Sequence, residues 1–134
     1  MRHKTVVTPR SRIRTRFAPA AIGPYSQGVM VEEATLYCSG QIAIDPESGH
    51  LITESIEAET ERVLQNLGAV LRAANMDFAN VVRCTVYMTD INDYGQVNDV
   101  YARYFSESPP ARVAIQVAAL PRGAHVEISC VAVR

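Results

Sequence analysis

Two alternating runs near the C-terminal end constrain this chain more than any other stretch. After the stiff break Pro109-Pro110, the residues Arg112 to Val117 place Val113, Ile115 and Val117 on one side and Arg112, Ala114 and Gln116 on the other. That is the period of a half-buried strand. The turn Leu120-Pro121-Arg122-Gly123 then sends the chain back through Val126, Ile128 and Cys130, with Glu127 set among them. An arginine and a glutamate on neighbouring apolar strands are either a plain ion pair or an anion clamp and a base.

Read as a hairpin turning about Pro121-Arg122, the two strands set Arg112 opposite Val131 and Glu127 opposite Gln116. At ~3.3 Å per residue the offset holds Arg112 and Glu127 roughly 13 Å apart along the hairpin. A slip of one residue in the turn would move Glu127 to the other face. The pair is therefore expected to meet across a boundary between two copies of the chain, not within one.

The remaining elements follow from local pattern. Gly28 to Val31 and Thr35 to Cys38 form short strands joined at Glu33-Ala34, and Gly40 in Ser39-Gly40-Gln41 permits a bulge or a close approach. Ile42 and Ile44 extend the sheet before the turn Asp45-Pro46-Glu47-Ser48-Gly49. A helix starts at Ser55 as N-cap, with Glu57 and Glu59 in its first turn. Its apolar stripe is Ile56, Val63, Leu64, Leu67, Val70, Leu71 and Ala74, and Asn75 suits the left-handed position after it. Val81 to Met88 is a further strand. A second helix, capped by Asn92 or Asp93, turns Tyr94, Val97, Tyr101, Tyr104 and Phe105 inward as core, not as a cofactor box.

This order predicts an α+β fold, a mixed sheet of about six strands with two helices on one face. The other face would remain apolar, which predicts a homo-oligomer that covers it.

With 134 residues the chain makes one domain. The net charge of −1 hides an asymmetry. Residues 1–16 hold Arg2, Lys4, Arg10, Arg12, Arg14 and Arg16 and no acid, which leaves 7 basic against 14 acidic residues, a net of −7, from Phe17 on. Residues 1–14 read as a basic arm, with a frayed start leading into an edge strand, and residues 15–134 as the domain. Extended, the arm's arginines share one face, so nucleic-acid contact is confined to it. Its composition also resembles an organellar transit segment, although it is short and forms no amphipathic helix. No apolar run reaches the ~18 residues of a membrane span and no secretory signal is apparent, so a cytoplasmic protein is expected. Cys38, Cys84 and Cys130 are far apart and form no metal-ligand spacing, which predicts buried reduced thiols.

Nucleotide-loop, G-x-S-x-G and zinc-protease motifs are absent, and His3, His50 and His125 are scattered. A different set of motifs is present. Ala18-Pro-Ala-Ala-Ile-Gly-Pro-Tyr-Ser-Gln27, Ser39-Gly-Gln-Ile42, Val97-Asn98 with Tyr101, Pro110-Ala-Arg112, Gln116-Val-Ala-Ala-Leu-Pro121 and Val126-Glu127-Ile128 together resemble the RidA (YjgF/YER057c/UK114) family from about Thr15 onward.

The resemblance implies a chorismate-mutase-like fold, a homotrimer with clefts between subunits, and hydrolysis of reactive 2-imino and enamine acids to 2-keto acids and ammonia, with no cofactor or metal. It implies that Arg112 binds the substrate carboxylate, Glu127 orients the water, and Tyr25 closes over the ligand. Ser39, Gly40, Asn98 and the backbone of Ala114 would line the cleft. Ala114 departs from the cysteine common in bacterial members, and the arginines of residues 1–14 lie outside the pattern. Two other functions remain open at this level: a 2-keto-acid-binding regulatory module using Arg112 alone, and RNA binding or cleavage of the translation-inhibitor type.

Overall fold

The computed structural model describes residues 7–134. Arg2, His3 and Lys4 lie outside them. The elements are β1 (Arg10–Ile13), β2 (Gly28–Val31), β3 (Thr35–Gln41), α1 (Ile56–Ala73), β4 (Val81–Met88), α2 (Tyr94–Tyr104), β5 (Ala111–Gln116) and β6 (Val126–Val133). Six strands form one sheet in the order β1-β2-β3-β6-β4-β5. All neighbours are antiparallel except β4 and β5, so the sheet is mixed as predicted.

Arg10–Ile13 of the basic stretch pairs with β2 as the edge strand. β2 turns into β3 through Glu32 and Glu33, both at positive φ (50° and 55°), one residue earlier than the sequence suggested. The two φ values and the Ala34 N–H bond to the Val31 carbonyl define a type I′ turn, whose twist matches that of a hairpin. Ser55 caps α1 by accepting from the Ala58 N–H, and Asn75 takes the left-handed position with φ 58°. Val63, Leu64, Leu67, Val70 and Leu71 from α1 meet Val97, Val100 and Tyr101 from α2 and the inward residues of β3, β4 and β6 in one core. Cys38, Cys130 and Cys84 stand abreast across β3, β6 and β4, all free and buried, and burial pushes the Cys84 thiol up to about 11.

Two expectations are corrected and a third is narrowed. β5 and β6 are not a hairpin: β4 lies between them. α2 returns the chain parallel to β4 on its outer side, and the last strand fills the slot between β3 and β4. Ile42 and Ile44 do not extend the sheet. β3 bulges between Cys38 and Gln41 and ends there, and the two isoleucines pack with Ala124 in a separate small cluster. Asp93 holds the N-cap position of α2 but its side chain makes no cap bond; Asp90 instead accepts from the Asn92 N–H, closing a short 3-10 turn that leads into the helix.

One face of the sheet is covered by the helices. On the other, Tyr37, Val113, Ile115 and Val133 remain 38–53 % exposed. The outward side of β5 is thus the apolar one, and Arg112 lies on the inward side.

Candidate functional site: two separate half-sites

The in-register pairs Arg112↔Cys84↔Cys130 put Arg112 on the helix-covered face, because both cysteines are in the core. Its guanidinium donates to Asn98 Oδ1 at 2.7 Å and to the Tyr94 hydroxyl at 2.5 Å, and lies 5.4 Å from the Tyr94 ring and 4.8 Å from the Tyr101 ring. Both hydrogen-bond acceptors are neutral, and among the described residues Arg112 takes part in no ion pair. A structural arginine in so acidic a domain, net −7 from Phe17 on, would be expected to hold a carboxylate. This one is oriented by a neutral cradle that leaves its charge unmatched. Ala114 follows two residues on, on the same side of β5. β5 is the last strand of the sheet, so its outer edge has no strand partner among the described residues.

Glu127 lies between the fully buried Val126 and Ile128, and so points to the opposite face. Its carboxylate packs against Gly40, where no β-carbon stands in the way, and Tyr25, Pro19, Ile22, Ile42 and Pro121 complete a small depression around it. The group is half-buried and takes part in no ion pair among the described residues. Lost hydration raises its pKa above the usual carboxylate range.

The loop that carries Tyr25 is held from within. The buried Gln27 amide bonds the Thr15 N–H and the carbonyls of Thr15, Ala18 and Pro19. The Ser39 hydroxyl donates to the Ser26 carbonyl at 2.5 Å, and the Ser39 N–H to the Gln27 carbonyl at 2.9 Å. Tyr25 itself stays 45 % exposed, its hydroxyl accepting from the Ile22 N–H at 3.2 Å.

The structure therefore brings Tyr25, Ser39, Gly40 and Glu127 together, and Asn98, Arg112 and Ala114 together, but not the two groups with each other. Two strand spacings and three residues of register separate the backbones of Arg112 and Glu127, roughly 14 Å. More decisively, the side chains leave opposite faces of the sheet.

Residues that sequence reasoning missed are Tyr94 and Tyr101 as parts of the arginine cradle. The signal was present: Tyr94, Asn98 and Tyr101 recur at helical spacing on one face of α2. Tyr94, assigned to the core, is 41 % exposed. Glu59 was read as a dipole partner; it is 1 % exposed and accepts from the backbone N–H groups of His125 (2.6 Å) and Val126 (3.0 Å), fixing the start of β6 one residue before Glu127.

Among the described residues no cluster of His, Cys, Asp and Glu is arranged to hold a metal ion, and no helix is long and apolar enough to cross a membrane. The fold and the two half-sites define a mixed-sheet α+β protein that presents a free guanidinium and a free carboxylate on opposite faces. A family model described as Endoribonuclease L-PSP matches residues 15–134, and the chain belongs to this family, the RidA family. It is 54 % identical over 125 residues to the mouse protein named 2-iminobutanoate/2-iminopropanoate deaminase, covering 93 % of this chain and 92 % of that one. Its structure is similar to that of RidA from the Antarctic bacterium Psychrobacter (TM-score 0.89, 43 % identity, 92 % and 99 % of the two chains). It is also similar to Escherichia coli TdcF with bound serine (TM-score 0.88, 36 % identity, 92 % and 99 %).

Proposed function

We propose that this protein hydrolyses 2-imino and enamine acids such as 2-iminobutanoate and 2-iminopropanoate. One observation carries the reading: Arg112 is pre-oriented by Asn98, Tyr94 and Tyr101 with its charge unmatched. A planar guanidinium fork held in that way suits a substrate carboxylate, which it binds through two parallel hydrogen bonds. The name of the mouse relative agrees with this chemistry, and the serine held by the bacterial relative is a ligand of the same size and charge class.

In the reaction a water adds to C2 of the imine. Glu127 accepts a proton as the C–O bond forms and passes it to nitrogen, giving a carbinolamine; the hydroxyl of that adduct then gives up the second water proton, which also goes to nitrogen as C=O forms and the C–N bond breaks. Imine and water thus give 2-keto acid and ammonia, without oxidation or reduction. The raised pKa of Glu127 makes it a stronger base than an exposed carboxylate. Tyr25 closes the depression above it, and Ser39 holds the Tyr25 segment in place.

The site is complete only when the β5 edge of one copy, where Arg112 lies, meets the Glu127 face of another, burying the apolar surface that includes Val113 and Ile115. A homotrimer, as the resemblance implies, would build three such clefts. Residues 15–134 then carry the catalytic site, cytoplasmic in setting, and the basic stretch before them supplies the edge strand β1. RNA cleavage, suggested by the name of the family model, finds less support: His50 is exposed, and His125 faces Glu59 at 2.9 Å.

Ammonia release from 2-iminobutanoate, generated in place by a threonine dehydratase, tests the proposal. Wild type should accelerate release and Arg112→Ala should abolish the acceleration. An inert wild type that still binds 2-ketobutyrate would establish the binding module instead.

A further inference from the structure

Two arginines that fall outside the family pattern, Arg12 and Arg14, converge with Arg16 on one place. Arg12, Arg14 and Arg16 line a groove whose other wall is Ala20, Tyr25 and Ser26. All three are exposed, none takes part in an ion pair among the described residues, and no acidic side chain lines the groove. A second groove nearby shows what balanced charge looks like: there Arg16, Arg62 and Arg72 share the walls with Asp45 and Glu47.

The three-arginine groove adjoins the Glu127 depression directly, since Ala20 and Tyr25 line both. It is also built into the site's framework. Arg12 Nε donates to the Ser26 hydroxyl at 3.1 Å, and the Ser26 carbonyl is the acceptor of the Ser39 hydroxyl. Pairing of Arg12 with Val29 in β1 and β2 fixes the arm at that distance from Tyr25.

We infer that this groove is a subsite for a second anionic group on the substrate, so that the protein accepts dicarboxylic 2-imino acids in addition to monocarboxylic ones. Arg112 of one copy takes the carboxylate beside the imine, and the distal carboxylate leaves the cleft past Tyr25 toward Arg14 and Arg16. Without these arginines, a distal carboxylate would face Glu127 and an otherwise acidic body. With them, it meets guanidinium donors that line one groove and take part in no ion pair among the described residues.

The inference rests on the deaminase reading, and the two are separable by experiment. The probes are oxaloacetate and 2-ketobutyrate, the product keto acids of a dicarboxylic and a monocarboxylic imine, titrated calorimetrically at low salt. Charge-assisted hydrogen bonds to the distal carboxylate should make oxaloacetate bind about tenfold more tightly than 2-ketobutyrate. In Arg14→Gln/Arg16→Gln, which removes no hydrogen bond of the framework, that preference should vanish while 2-ketobutyrate affinity and thermal stability stay unchanged. The same variant should lose the faster hydrolysis of iminosuccinate relative to 2-iminobutanoate. Equal affinities in the wild type, or a preference that survives the double substitution, would overturn the subsite. Hydrolysis of 2-iminobutanoate alongside either result would leave the deaminase reading standing; absence of both binding and hydrolysis would overturn both.

Discussion

Gly40→Ala separates catalysis from folding at a single position. A β-carbon at residue 40 would stand 2.9 Å from Glu127 Cδ and 3.2 Å from Cγ, with Oε2 closer still. Ordinary carbon contacts lie at about 3.5–4.0 Å, so the carboxylate must retreat by roughly 1 Å. It can do so, because it is the end of a flexible side chain with no hydrogen-bond partner among the described residues. A misplacement of that size at a reacting group costs ~10²-fold in rate, or about 2.7 kcal/mol. Folding should not suffer. Gly40 is not at positive φ, unlike Gly49 and Gly123, and alanine at such a site stabilises by about 0.4–1 kcal/mol through the unfolded chain. The expected pattern is therefore a Tm equal to or above that of wild type with a large loss of kcat in the ammonia-release assay. A variant that folds and retains wild-type kcat would show that the Glu127 carboxylate does not need its place over Gly40, and would refute its assignment as the base.

Four further outcomes follow from the geometry. Arg112→Lys keeps the charge but loses the fork and the bonds to Asn98 and Tyr94, and should lower kcat/KM by about 30- to 150-fold, equivalent to 2–3 kcal/mol. Arg112→Ala and Glu127→Ala proteins, each inactive alone, should regain part of the activity when unfolded together and reassembled; no recovery would mean the two residues serve one chain's cleft. For Glu127, burial raises the folded pKa, so its contribution favours folding at low pH and is lost as pH rises through that value. Glu127→Gln should accordingly be more stable than wild type at pH 7, with the difference disappearing below the unfolded glutamate value of about 4.3, while kcat/KM of the wild type falls on its acid side at a pH above the usual carboxylate range. Glu59→Ala leaves the His125 and Val126 N–H groups without their acceptor and should cost about 3 kcal/mol, read as a lowered denaturation midpoint.

The sequence by itself determined the pieces and much of their chemistry. Ser55 and Asn75 mark the ends of the first helix because a cap and a left-handed residue act through bonds a few positions away. The alternation of Arg112 with Val113, and of Glu127 with Ile128, determined that each polar residue leaves its strand on the side away from its neighbour, since period two is a property of one strand. Arg112, Tyr25 and Glu127 could be singled out from motifs for the same reason: each motif is contiguous.

Which strand lies next to which is not a local property. The hairpin reading of β5 and β6 placed Arg112 and Glu127 on one ribbon; the tertiary structure inserts β4 between them and directs the two side chains to opposite faces. Strand order is decided by where α1 and α2 bury their apolar stripes and by the central slot left for the last strand, contacts between residues far apart in the chain. Only that packing brings Tyr94 and Tyr101 around Arg112, sets Glu59 beneath the start of β6, and places Arg12, Arg14 and Arg16 beside Tyr25. Arg112 and Glu127 were separated in both readings, but along one ribbon in the first and through the thickness of the sheet in the second, because a sheet has two faces and only its neighbours decide which one is covered.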